Sequence, residues 1–211
     1  MREIKQYYKE LKIRFVFKNS IYTLTSSSTK FLGGWLQIGR VVTNATNINS
    51  YSLESVMSSN FSDLHKAESQ NFLLNGRKFS DLKSLIGFTE YRVYCTKQYH
   101  GRTNNAKFTS TNPNGIQLFN YITQATSPAP SNLCNALVYM PDDNSRFRNV
   151  SCTSRKPQEG PMPSRLYDPW YVHDVLYIST TFNLLMECDD NKYAGRDKGY
   201  NNYGTWMFYV R

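Results

Sequence analysis

At 211 residues the chain is long enough for one domain of the larger kind, burying roughly 70% of its unfolded surface, so its core needs no metal to form. Apolar residues make up 40% and aromatics 15%, with 16 tyrosines, a bias toward strand formers and toward rings that are apolar on the face and polar at the tip. No apolar run reaches the roughly 18 residues a membrane-spanning helix needs, while a net charge of +9 favours an anionic partner: nucleic acid, an acidic glycan or a bacterial surface.

Residues 1–18 carry charges throughout and lack the apolar stretch and small-residue cleavage site of a secretory signal, which by itself points to the cytosol. Within the first thirty residues, 2–11 suit a short charged helix, 13–17 a small strand, and 20–30, rich in Ser and Thr, a loop. Gly33-Gly34-Trp35 changes the texture: two glycines let the backbone turn tightly, and Trp35, Leu36, Ile38, Val41 and Val42 give a strand with an apolar side. Residues 44–60 are polar and turn-rich, with a short helix expected around 53–57.

The stretch 73–102 carries the strongest local signals. Ser80 is placed to cap a helix, Asp81 to meet the positive end of its dipole, and Leu82, Leu85 and Ile86 to form its apolar stripe before Gly87 stops it. From residue 88 the period becomes two, with Tyr91, Val93 and Cys95 on one face and Arg92, Tyr94 and Thr96 on the other. Asn112-Pro113-Asn114-Gly115 then suits a tight reversal between strands, followed by a strand over 116–123. Pro128, Pro130 and Ser131 break the chain, 136–140 is a short apolar strand, and 151–170 is a proline-rich loop. Strands are expected over 175–178 and 182–188, a glycine- and asparagine-rich loop from Asp189-Asp190-Asn191 to Tyr203, and a last strand over 205–211 that alternates Trp206, Phe208 and Val210 with Met207, Tyr209 and Arg211.

Few residues point to chemistry. Cys95, Cys134, Cys152 and Cys188 show neither Cys-x-x-Cys pairs nor zinc-site spacing with histidine, so two disulfides compete evenly with four free thiols. Of the three pairings four cysteines allow, the preferred one closes Cys134 on Cys152 around PDDNSRF and leaves Cys95 with Cys188. Asp142-Asp143 and Asp189-Asp190 are clustered oxygens of the kind a hard cation such as calcium binds, although Asp and Asn also close turns through their own side chains. His65, His100 and His173 stand alone, and no nucleophile elbow, phosphate-binding loop, zinc-protease motif or dinucleotide fingerprint occurs, so enzymatic chemistry is unsupported. Asn44, Asn60 and Asn149 each open an Asn-x-Ser/Thr sequon, the number expected by chance in a chain this rich in Asn, Ser and Thr. Arg146, Arg148, Arg155 and Lys156 form the closest basic group, without an RNA-binding or helix-turn-helix signature beside it.

GGWLQIGRV resembles the Gly-Gly-Trp strand near the start of fibrinogen C-terminal-like (fibrinogen-related) domains, and FLLNGRKFSDLKSLIGFTEYRVYC is similar to the helix-strand segment that follows it in divergent invertebrate members. PDDNS before Cys152, then ECDD and the closing GTWMFYVR, resemble the terminal part of the same group, so the resemblance runs in order over 33–211. It implies an extension over 1–30 and one domain over 31–211: an α+β fold, mainly antiparallel sheet with a few short helices and long loops. It also implies secretion, two disulfides, lectin-like binding of acetylated or acidic glycans, a structural calcium, and assembly into homo-oligomers.

The expected function is therefore non-enzymatic recognition of a glycan or glycoprotein outside the cell, in innate defence or cell adhesion. Asp142, Asp143, Asp189 and Asp190 are the candidate calcium ligands. Asn191, Tyr193, Tyr200 and Tyr203 are the candidate ligand-binding residues, with Asn144 in the neighbouring loop. The alternatives are a protein–protein adhesion module without a glycan pocket and a basic nucleic-acid binder.

Overall fold

The computed structural model describes residues 12–17, 20–25, 34–44, 53–123, 128–131, 133–156, 167, 170–172, 176–182, 185–190 and 203–211. In chain order the elements are β1 (Lys12–Phe17), β2 (Ser20–Thr25), β3 (Leu36–Thr43), α1 (Leu53–Val56), β4 (Met57–Ser58), a 3-10 helix over Phe61–Glu68, β5 (Phe72–Leu74), α2 (Gly76–Ile86), β6 (Glu90–Lys97), β7 (Thr103–Thr109), α3 (Pro113–Thr123), β8 (Leu137–Tyr139), short 3-10 turns at Arg146–Asn149 and Cys152–Ser154, β9 (Arg155–Lys156), β10 (Trp170–Val172), β11 (Leu176–Phe182), β12 (Leu185–Asp190) and β13 (Gly204–Val210). Seven of these strands form the main sheet in the order β4-β5-β3-β13-β6-β7-β8, a second sheet runs β12-β11-β10-β9, and β1 pairs with β2. All strand pairs are antiparallel except β4 with β5. The fold is α+β and dominated by sheet.

Alternation decides the centre of the sheet. In β6 and β13 every second side chain is buried, so Tyr91, Val93 and Cys95 lie opposite Val210, Phe208 and Trp206 on one face. Helices α2 and α3 pack there through a ring cluster: Phe79 of α2 lies 5.6 Å from Tyr91, and Phe119 of α3 lies 5.1 Å from Phe108, both edge to face. At Gly39 the packing is tight, since a Cβ there would come within 2.9 Å of Leu73, 3.0 Å of Phe208 and 3.2 Å of the buried Tyr167, so a larger residue would have to push these side chains aside. Tyr167 in turn donates its hydroxyl to the Leu74 carbonyl and sets its ring edge to face against Phe208.

Several expectations are corrected. Helix α2 starts at Gly76, and its cap is Asn75, whose Oδ1 accepts from the Arg77 amide at 3.0 Å. Ser80 and Asp81 thus lie inside the helix, and the earlier start brings Phe79 into the core. Gly87 does end it, at φ 65° in the left-handed region. The segment expected as turn and strand over 112–123 is helix α3. Asn112 caps it by accepting from the Gly115 amide at 2.7 Å, Pro113 opens it, and Leu118, Phe119, Tyr121 and Ile122 follow the helical period. Residues 20–25, expected as loop, form β2 against β1, because SIYTLT carries strand-forming β-branched residues at alternate positions, Ile21, Thr23 and Thr25, with Tyr22 between the first two. The last two internal strands run Leu176–Phe182 and Leu185–Asp190 rather than 175–178 and 182–188, so Asp189 and Asp190 close strand β12 and do not belong to the loop after it. The helix expected over 2–11 lies outside the described residues.

Candidate functional site

Two disulfides, Cys95–Cys188 and Cys134–Cys152, are formed, the pairing preferred from the sequence. The first joins the buried face of β6 to β12 and sets the end of β12 against the loop after β6. Trp206 adds a second tie by donating its indole N–H to the Glu187 carbonyl at 2.9 Å.

Beyond Cys188 the ladder between β11 and β12 is broken by a bulge. Ile178 pairs with Cys188 and Tyr177 with Asp190, so Asp189 is the extra residue, with φ 57°. Asp tolerates the left-handed conformation, and a bulge re-aims the side chain it carries. Asp189 is fully buried, and every oxygen is engaged. Its Oδ2 accepts from Arg102 Nε at 2.5 Å and the Arg146 amide at 3.0 Å, its Oδ1 from the Phe147 amide at 3.1 Å, and its carbonyl from the Nη2 of Arg102 at 3.0 Å and of Arg146 at 3.1 Å. One residue therefore binds the loop over 98–102 to the loop over 141–149.

Asp190 faces the other way, into a pair of cationic or ionisable side chains. Its Oδ2 accepts from Lys97, almost wholly buried, and from the Cys188 amide at 3.2 Å, while Oδ1 lies 3.3 Å from His100 Nε2. Burial pushes the Asp190 carboxyl up, but the His100 hydrogen bond and the Lys97 charge outweigh it and hold the group below the ordinary carboxylate range. The tautomer of His100 is fixed by its neighbours. Nδ1 accepts from the Arg102 amide at 3.0 Å, which leaves Nε2 as the donor to the Cys188 carbonyl at 2.9 Å.

The loop over 141–149 is organised in the same manner. Asp143 is buried; its Oδ2 accepts from the Asn105 amide at 2.7 Å and its Oδ1 from the amide and hydroxyl of Ser145 at 3.2 and 3.0 Å. Here desolvation wins over these bonds and the Arg148 charge, and the carboxyl is raised. Asp142 is exposed, with Oδ1 accepting from Asn105 Nδ2 at 2.6 Å, and Asn144 Oδ1 accepts from the Thr103 amide at 2.6 Å.

The two acidic pairs, 47 positions apart in the sequence, thus lie on the same pole: Asp189 accepts from the amides of Arg146 and Phe147, a few residues beyond Asp142-Asp143 in the 141–149 loop. Their carboxylates, however, do not converge on a common centre. The oxygens of Asp143, Asp189 and Asp190 accept from N–H and O–H donors and face cationic side chains, whereas a hard cation needs several oxygens turned toward one centre, and among the described residues no group of three or more His, Cys, Asp or Glu is disposed to hold a metal. Tyr203 is half-buried beside the same pole, its carbonyl accepting from the Gln98 amide at 3.3 Å. Asn191, Tyr193 and Tyr200 lie outside the described residues. The residues that sequence reasoning missed are Lys97, Arg102 and Tyr99, the last 51% exposed with its ring edge to face on His100. Nothing in their local sequence marks them; only the packing of β12, from the second sheet, against the segment after β6 brings Asp190 to Lys97 and Asp189 to Arg102.

An open pocket of about 420 Å³ lies against α3, lined by Gln117, Asn120 and residues 128–131, none of which belongs to this pole. Among the described residues no helix is long and apolar enough to cross a membrane. Comparison of the chain with protein-family models, with curated proteins and with solved structures finds no match.

Proposed function

We propose that residues 31–211 are a divergent fibrinogen C-terminal-like domain that works outside the cell as a non-enzymatic recognition module, its ligand a glycan or glycoprotein bearing acidic groups. The observation that carries this reading is the pole itself. The buried Asp189 locks two chain segments, 98–102 and 141–149, into one unit, the Gln98 amide ties the same unit to the Tyr203 carbonyl just before β13, and the unit presents Tyr99, Arg146, Arg148 and Asn144 outward. An exposed ring offers a sugar a stacking face, guanidinium groups pair with carboxylate or sulfate, and an amide supplies directed hydrogen bonds. Loops held rigid before the ligand arrives lose less entropy on binding. Two disulfides fit an oxidising compartment, which supports the extracellular setting.

Because the four candidate carboxylate ligands are engaged by protein donors, binding on this reading is independent of calcium. A glycan array probed with the purified chain, in calcium and in chelator, tests it. The expected outcome is retention of sialylated or sulfated glycans in both conditions, with roughly tenfold loss for Tyr99→Ala combined with Arg148→Ala, equivalent to about 1.4 kcal/mol. An array blank in both conditions removes the glycan ligand and leaves the protein–protein adhesion module. A steep salt dependence of binding to single-stranded nucleic acid, with no glycan retained, would instead favour the basic nucleic-acid binder.

A further inference from the structure

We infer that Asn60 and Asn149 are N-linked glycosylation sites, an inference that rests on the extracellular reading above. All three sequon asparagines, Asn44, Asn60 and Asn149, are exposed, although only five of the twelve asparagines whose side chains are described are exposed at all. Exposure is what a glycan requires, since the oligosaccharide must stay in solvent once the chain has folded around its base.

A second observation concerns the atom that would carry the sugar. Five other asparagines use Nδ2 to hold the fold: Asn71 donates to the Val42 carbonyl, Asn104 to Ser145 Oγ, Asn105 to Asp142, Asn112 to the Asn135 carbonyl and Asn114 to the Cys134 carbonyl. A sugar on any of these nitrogens would displace a structural hydrogen bond. Asn60 and Asn149 differ. Asn60 caps the 3-10 helix through Oδ1, which accepts from the Ser62 amide at 3.0 Å, and its Nδ2 makes no hydrogen bond among the described residues. Conjugation at Nδ2 keeps Oδ1 as an acceptor, so the cap survives the modification. Asn149 ends the 3-10 turn inside the loop closed by Cys134–Cys152, and its side chain makes no hydrogen bond among the described residues.

The reaction requires a lipid-pyrophosphate-linked oligosaccharide and its transferase, both supplied by a eukaryotic secretory pathway. Asn Nδ2 attacks C1 of the first sugar, the C–N bond forms, the C1–O bond to pyrophosphate breaks with its electron pair leaving on the lipid pyrophosphate, and Nδ2 gives up one proton. No oxidant or reductant is consumed.

The full chain, secreted from cultured eukaryotic cells behind a heterologous leader, is digested after treatment with a glycan-releasing amidase in heavy-oxygen water. The expected result is heavy-labelled aspartate at positions 60 and 149, and loss of one glycan from the intact protein in each of Asn60→Gln and Asn149→Gln. The same digest, run without reduction, reports the cysteine pairs. Protein with Cys95–Cys188 and Cys134–Cys152 linked but with Asn60 or Asn149 unlabelled overturns the inference at that position and leaves the recognition reading standing. Unlabelled asparagines together with four free thiols overturn both.

Discussion

Asp189 and Asp143 are both buried carboxylates that accept from backbone amides, but only the Asp189 carboxylate also accepts from an arginine side chain. Removing Asp189 strands the guanidinium groups of Arg102 and Arg146 and two backbone amides, so Asp189→Ala is expected to lose about 3 kcal/mol in urea denaturation at neutral pH, the lower end for a broken buried pair because both arginines reach solvent. An unchanged midpoint would mean the two loops hold together without it. Asp190 and Asp143 make the pH dependence a sum of two opposed parts. Asp190 is held below its ordinary value of 3.8, so its contribution to stability is complete above that value and is lost as pH falls from it through the lower folded value. Asp143 is raised above 3.8, so the unfolded chain gives up this proton first and stability declines as pH rises from 3.8 through the folded value. In Asp143→Asn the declining part disappears. The variant also sets an amide donor against the donors of Asn105 or Ser145, for a cost of about 1–3 kcal/mol that does not vary with pH. Denaturation curves collected across the acid range separate the pH-dependent change from this constant offset.

At the scale of the element, α3 is the instructive case. Its first turn is pressed against the end of β7 so closely that a Cβ on Gly115 would lie 1.8 Å from the Thr109 carbonyl oxygen. Gly115→Ala is therefore expected to cost about 3 kcal/mol or more, although alanine is the better helix former, and a thermal melt of the variant shows which effect prevails. Phe79→Ala opens the ring cluster between α2 and β6 and is expected to cost about 3–5 kcal/mol by the same measurement. Local sequence made α2 legible because Gly87 and the Leu82, Leu85, Ile86 stripe admit one reading. It misled at α3 because Asn-Pro-Asn-Gly serves equally as a hairpin turn and as a cap followed by a first helical turn. The choice was settled by the apolar faces of β7 and β6, which Leu118, Phe119 and Ile122 cover only when wound as a helix.

For the whole molecule the two disulfides carry unequal weight. Cys95–Cys188 spans 93 positions and Cys134–Cys152 spans 18, so on the chain-entropy account the first restricts the unfolded state by about 4–5 kcal/mol and the second by about 3 kcal/mol. Replacing both members of each pair by alanine and comparing denaturant midpoints tests that order; a larger loss for the short loop would show that native packing around 134–152, not chain entropy, dominates. The long link is also the one the candidate site depends on, since it holds the end of β12 against β6 so that Asp190 reaches Lys97 and His100.

The amino-acid order by itself determined the strands whose faces alternate, the glycine that ends α2, and the four aspartates as polar residues grouped near chain reversals. These depend on neighbours a few positions away, where side-chain period and backbone preference act. The tertiary structure alone decided that Asp189 is the bulged residue of β12, that Arg102 and Arg146 meet on it, and that Lys97 is buried with Asp190. Those contacts join positions about 40 to 90 apart, and a buried charge is tolerable only where its counter-charge arrives from elsewhere in the chain, a condition that no local stretch of sequence records.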